Sequence, residues 1–191
     1  MTTTQIKSIT LESFLKESYI DDSPAWEYLN GEIHQKAMPQ LHHSRLQLKL
    51  ASKIDSVAEK GQIALALPEL RCNFGNKSIV PDIAVVFWDK IPYNEEGEAE
   101  NTAISFPPDW TIEILSPHQA MTPVIDKIIH CLEYGCQLGW LIVPDDRSIL
   151  VFKANQTPKV YYLNSEETLP VLEKIEISLT VADIFAWLKM R

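Results

Sequence analysis

The chain has 191 residues, 46% hydrophobic and 23% charged, a globular balance that leads us to expect one domain over 1–191 with its core at about 25–165. Acidic residues outnumber basic ones by 26 to 17, for a formal net charge of −9, which argues against a protein that coats nucleic acid with a basic face. No apolar run approaches the ~18–20 residues that cross a bilayer, and MTTTQIKSIT has neither the basic nor the apolar part of a secretory signal, so we expect a cytoplasmic protein without a membrane segment.

In chain order, TLESFLKES at 10–18 predicts a short helix capped by Thr10. AWEYLNGEIHQ at 25–35 predicts a hairpin turning at Asn30-Gly31. Leu46, Leu50, Ile54 and Val57 fall on one face of a helix from His42 to about Glu59, with Gly61 as its stop. QIALAL at 62–67, LRCNF at 70–74 and IVPDIAVVF at 79–87 read as three strands, and WTIEIL at 110–115 as a fourth. The acidic stretch NEEGEAEN at 94–101 reads as a solvated loop. TPVIDKIIHCLEYG at 122–135 predicts a helix with Thr122 as cap, Pro123 in the first turn and Gly135 at the exit. WLIV at 140–143 and ILVFK at 149–153 are strands; KVYYL at 159–163 and EKIEIS at 173–178 are weaker ones, and 180–190 predicts a terminal helix. Helices therefore flank a mixed sheet in an α/β or α+β domain.

The three cysteines, Cys72, Cys131 and Cys136, are an odd number and suggest no disulfide framework. His130 stands beside Cys131, which raises zinc, but no CxxC or HxxxH spacing exists and no fourth ligand is evident. Buried free thiols are the simpler reading.

Two carboxylates interrupt otherwise apolar strands: Asp82 in SIVPDIAVVFWD and Glu113 in DWTIEILSP. An ionised group buried in such a strand is costly unless it is paired or bound to a cation. If the two strands are neighbours, the carboxylates converge, and the pair raises one pKa or recruits a hard cation such as Mg²⁺ or Mn²⁺. The bland alternatives are a turn-facing Asp82 at an exposed strand start and a Glu113 salt-bridged across the sheet. On the helix at 122–135, Val124, Ile128, Cys131, Leu132 and Gly135 form the apolar stripe, with Asp126, His130 and Glu133 opposite. Lys127 and Tyr134 lie on the border; periodicity alone favours a Lys127 that snorkels outward over one that reaches inward to the carboxylates.

VPDIAVV, then PPDWTIEILSP, then the Lys127 helix leading to GCQLGWLIVP resemble the Uma2 family of restriction-endonuclease-like proteins. WEYLNGEI resembles that family's hairpin, with Trp26, Glu27, Gly31 and Glu32 in place, and His43 resembles its histidine at the start of the first core helix. The resemblance spans roughly residues 10–165, and the order and spacing of its motifs carry it more than any single one. It implies a PD-(D/E)XK nuclease core, a central mixed sheet flanked by helices. It further implies Asp82 and Glu113 as ligands of Mg²⁺ or Mn²⁺, and Lys127 as the group that positions water or stabilises the transition state. The usual lysine position, two residues after the acid, is Leu115 here, so the lysine would come from the following helix. Other departures are Cys131 where the family often has Tyr, and Leu138 and Val143 where it often has acids. Glu27, His43 and Glu69 are candidates for auxiliary contacts.

Two functions are thus expected: a metal-dependent DNA endonuclease, by analogy a homodimer, or a catalytically silent module of the same fold acting as an oligomeric or DNA-associated accessory protein. For the second, Ile184, Phe185, Trp187 and Leu188 of the terminal helix would supply a dimer interface. No G-x-S-x-G or H-E-x-x-H pattern supports another hydrolase class.

Overall fold

The structure, a computed structural model, describes residues 9–191. It opens with a one-turn helix, α1 (Leu11–Phe14), closed by a capping box between Thr10 and Ser13. The hairpin β1 (Trp26–Leu29) and β2 (Glu32–Gln35) turns through Asn30 (φ 53) and Gly31 (φ 89), the left-handed pair that a two-residue turn needs. Helix α2 (Leu41–Ala58) follows, and then β3 (Ala64–Pro68), β4 (Cys72–Phe74), β5 (Lys77–Ile79) and β6 (Ile83–Phe87). The chain continues through β7 (Trp110–Ile114), α3 (Met121–Glu133), β8 (Leu138–Val143), β9 (Ser148–Lys153), β10 (Lys159–Tyr162) and α4 (Val181–Ala186).

The strands form two sheets. The larger has the order β10-β9-β8-β7-β6-β3 and the smaller the order β2-β1-β5-β4. Every pairing in the larger sheet is antiparallel except β7–β8. A parallel pair needs a crossover, and α3 is that crossover. One face of the large sheet packs Ile83, Val85, Ile112, Trp140 and Ile142 against Leu46, Leu50 and Ile54 of α2. The other face packs Leu141, Val143 and Phe152 against Val124 and Ile128 of α3. The α2-side core also takes in Leu169, Leu172, Leu179, Ile184 and Phe185.

Several sequence expectations need correction. The run 79–87 is two strands in different sheets, not one. Pro81 has no N–H for a ladder, so the chain leaves the small sheet at Ile79 and joins the large one at Ile83. Helix α3 starts at Met121 after Ala120, so Thr122 is inside the helix and not its cap. The left-handed turn after α2 falls at Gln62 (φ 49), one residue past Gly61. Residues 173–178 form no strand: Ile177 N–H bonds locally to the Ile175 carbonyl, while Leu172 and Ile175 face the core. His130 is buried rather than solvent-facing, because its ring stacks on Phe74 at 4.9 Å between centroids. Ile184 and Phe185 are core residues, and Trp187 and Leu188 pack half-buried against that core.

The three thiols lie in one apolar cluster with Phe74, Ile79 and Val86, and burial pushes Cys136 up to about 12. Among the described residues, no helix is long and apolar enough to cross a membrane.

Candidate active site

The register of β6 and β7 builds the site. Ile83 pairs with Ile112 and Ala84 with Thr111, so one further step sets Asp82 directly across from Glu113. Opposed residues of an antiparallel pair project from the same face, with Cβ atoms ~4.5–5.5 Å apart. Both carboxylates therefore point to the α3 side, and both line one cavity of 210 Å³. The two acids expected to converge do converge.

Each has a different environment. Asp82 Oδ1 accepts from Lys36 Nζ at 2.7 Å and lies 3.3 Å from His43 Nε2, while Oδ2 accepts from the Ile114 N–H at 2.7 Å. Burial alone would raise its pKa, but the Lys36 ammonium and the His43 hydrogen bond outweigh burial and hold the carboxyl well below its usual range. Glu113 Oε1 is buried and lies 3.1 Å from Lys127 Nζ, close enough for charge attraction but without an aligned hydrogen-bond donor. Burial pushes Glu113 up to about 7, with the Asp82 charge adding to the effect and Lys127 opposing it. Two neighbouring carboxylates are thus driven apart in pKa, Asp82 downward and Glu113 upward.

Lys127 does not snorkel. It is 4% exposed, on the α3 turn that faces the sheet, and its Nζ also donates to both Glu27 oxygens at 3.1 and 3.2 Å. Burial would lower its pKa, but Glu113, Glu27 and Asp82 reverse that and hold it well above the ordinary lysine value. Border position on a helical wheel could not reveal this, because the attraction comes from strands β1 and β7. Gly139 on β8 helps bring the helix in: a Cβ there would stand 2.3 Å from Ile128 Cγ2.

Glu27 and Lys36 come from the hairpin. Val80, in the gap between sheets, has no ladder partner for its polar groups. Its N–H donates to Glu27 Oε1 and its carbonyl accepts from Lys36 Nζ, both at 2.8 Å. One residue's two backbone polar groups thus recruit two charged side chains into the site. Lys36 was not singled out from the sequence; it follows the last residue of β2, where nothing in the local pattern marks it. His43 enters from the first turn of α2, with its Nδ1 3.4 Å from Ser116 Oγ. Glu69 is not brought in. It sits at φ 52 after β3, holds the Asp82 carbonyl through its own N–H, and lines a separate cavity with Asp21 and Arg71. Another buried carboxylate, Asp109, is also separate: it accepts from the Phe87 N–H and from Lys90.

The site therefore gathers three carboxylates, two ammoniums and two imidazoles, His34 and His43, in one small cleft. Comparison with known proteins agrees with this reading of the fold. A crystal structure of a putative nuclease belonging to DUF820 from Anabaena variabilis is 45% identical, superposes with a TM-score of 0.90, and covers 95% of this chain and 99% of its own. No curated protein matches the chain. The model of Uma2, described as a putative restriction endonuclease, matches residues 11–182. With the mixed α+β architecture of that nuclease and a family match over nearly its whole length, the chain belongs to the Uma2 family.

Proposed function

We propose that this single-domain protein is a metal-dependent endonuclease that hydrolyses DNA phosphodiester bonds in the cytoplasm, with Asp82 and Glu113 holding Mg²⁺ or Mn²⁺. The observation that carries the reading is the cross-strand pairing of Asp82 with Glu113 beside the buried Lys127. The donor set fits a hard cation: Glu113 Oε1 is buried without an aligned donor, and both acids line one cleft. Among the described residues no group of three or more His, Cys, Asp and Glu forms a metal cluster; two carboxylates can nonetheless hold Mg²⁺, an ion that keeps several waters. When bound, such an ion supplies Lewis-acid stabilisation and a more acidic water.

The chain's own groups do the rest. Lys127, kept charged by Glu113 and Glu27, orients the attacking water or offsets charge growing on the phosphoryl oxygens. His43 and the Ile114 N–H fix the orientation of the Asp82 carboxylate. Because cutting both strands of a duplex takes two such sites, we expect a homodimer.

The test is plasmid cleavage in Mg²⁺ by wild type, Asp82→Ala and Glu113→Gln, with circular dichroism as the folding control. Both variants should be inactive and folded. Cleavage that persists in Asp82→Ala, purified free of contaminating nuclease, removes the assignment.

One observation favours a second reading, a catalytically silent module acting as an accessory protein. The Lys36 ammonium already sits 2.7 Å from Asp82 Oδ1, where a cation would bind. Calorimetric titration separates the readings: an enzyme binds Mg²⁺ or Mn²⁺ and Glu113→Gln weakens it, whereas a silent module shows no binding.

A further inference from the structure

The acidic stretch at 94–101, which the candidate active site does not use, borders an apolar hollow on the surface. This cavity measures 170 Å³ and is lined by Leu65, Trp88, Ile91, Tyr93, Gly97 and Ala99. Every one of these residues is exposed or half-buried, and Tyr93 is 72% exposed. A single exposed apolar side chain is ordinary, but four large ones around one hollow make a patch. Its surroundings are anionic. Asp89 follows Trp88, and Glu95, Glu96, Glu98 and Glu100 each fall within two residues of Tyr93, Gly97 or Ala99. All five are exposed, and among the described residues none makes an ion pair. Lys90 is the one base between 88 and 101, and the buried Asp109 already holds it.

The hollow is remote from the Asp82–Glu113 cleft. Asp82 precedes β6 and Trp88 follows it, so the length of the strand, ~20 Å at ~3.3 Å per residue, separates them. Leu65 lies on β3, the edge strand of the large sheet, so a ligand can reach the hollow from the side without crossing the cleft.

We propose that this hollow docks an arginine-bearing, basic segment of a partner protein. One arginine enters it, with its methylene stem on the apolar lining and its guanidinium among the aromatic rings and the neighbouring carboxylates. The volume is below the ~300–1,000 Å³ of small-ligand clefts, which suits one side chain rather than a cofactor. The faces of Trp and Tyr attract a guanidinium, and arginine is weakly hydrated enough to give up its water there. Exposed Trp and Tyr in a hollow are also the anchors that protein interfaces favour. The five carboxylates select the sign of the partner. They repel the phosphates of nucleic acid and of anionic lipid alike. They also disfavour a second copy, which carries the same net charge of −9. The inference is independent of the nuclease reading.

The test is fluorescence anisotropy of a fluorescein-labelled nonapeptide of alternating arginine and glycine, beside the same peptide with citrulline, the neutral isostere, in place of arginine. Wild type should bind the arginine peptide at least about tenfold more tightly than the citrulline one. Tyr93→Ala, checked for folding by circular dichroism, should bind about fivefold more weakly than wild type, the loss of one exposed cation–π contact. Glu95→Gln/Glu96→Gln/Glu98→Gln should weaken binding and flatten its dependence on salt. Tyr162→Ala is the control: this tyrosine is 60% exposed on β10, the opposite edge of the same sheet, and its loss should leave binding at the wild-type level. No binding of the arginine peptide at low salt overturns the proposal, as does equal binding of the citrulline peptide. So does a Tyr93→Ala protein that matches wild type while the glutamine variant weakens, since that is acidity without a docking hollow. A wild-type dimer in light scattering that Tyr93→Ala dissolves makes a second copy the occupant. A labelled oligodeoxynucleotide whose binding needs Tyr93 makes it a nucleic acid. Either result overturns the basic segment.

Discussion

Lys127 Nζ lies 3.1 Å from Glu113 Oε1 because both belong to one β–α–β unit: β7 carries the acid, and the crossover helix that follows carries the base back over it. The ammonium is shared with Glu27, so its removal would leave two buried carboxylates facing each other across an empty place.

Lys127→Met is therefore expected to destabilise the protein by about 3–5 kcal/mol, the usual consequence of stripping one partner from a buried ion pair. Urea denaturation at neutral pH measures it. A loss below about 1 kcal/mol would mean that the ammonium is not the main counterion of Glu113.

Glu113 gives a pH prediction with a definite sign. Its folded pKa is raised from 4.5 to about 7, so the native state holds a proton that the unfolded chain releases. That contribution to stability is complete below pH 4.5 and disappears as pH rises through about 7. Glu113→Gln, which mimics the protonated form, should flatten the decline in melting temperature over that window in EDTA. Identical wild-type and variant profiles would contradict the shift. The same proton competes with a cation, so wild-type affinity for Mn²⁺ should climb across the same window.

Lys36 stands 2.7 Å from Asp82 Oδ1 and is itself held by Asp82, whose charge keeps the lysine pKa raised despite burial. Lys36→Met removes this internal cation. In EDTA the variant should melt at lower temperature than wild type; on adding Mn²⁺ its gain in melting temperature should exceed the wild-type gain. Equal metal-induced shifts would show that Lys36 does not compete for the Asp82 oxygen.

Gly139→Ala tests the packing that delivers Lys127. The new Cβ would meet Ile128 Cγ2 at 2.3 Å, which forces α3 away from the sheet or twists a side chain off its rotamer. Overpacking of this kind costs about 1–3 kcal/mol. Denaturant titration reads the cost. If the helix yields, cleavage should drop further than the stability loss explains, because Lys127 moves with it.

Much of the fold was legible locally. The Asn30-Gly31 turn, the apolar face of α2 and the Thr10 cap each depend on residues close to one another in the chain. The suspect carboxylates were legible too, since an acid inside an apolar strand signals a buried charge wherever the strand goes. What misled was equally local. The run 79–87 has strand composition throughout, yet Pro81 breaks it between two sheets. Residues 173–178 alternate like a strand but find no ladder.

Hydrophobic period and turn chemistry act over a few residues, so residue order already marks which segments can bury a face and which acids then need partners. Who those partners are is set by long-range packing. The register that sets Asp82 against Glu113, the inward course of Lys127, and the arrival of Glu27 and Lys36 at the Val80 N–H and carbonyl all join groups distant in the chain. Burial makes each unpaired charge or backbone group costly, and long-range packing selects the side chains that can reach it.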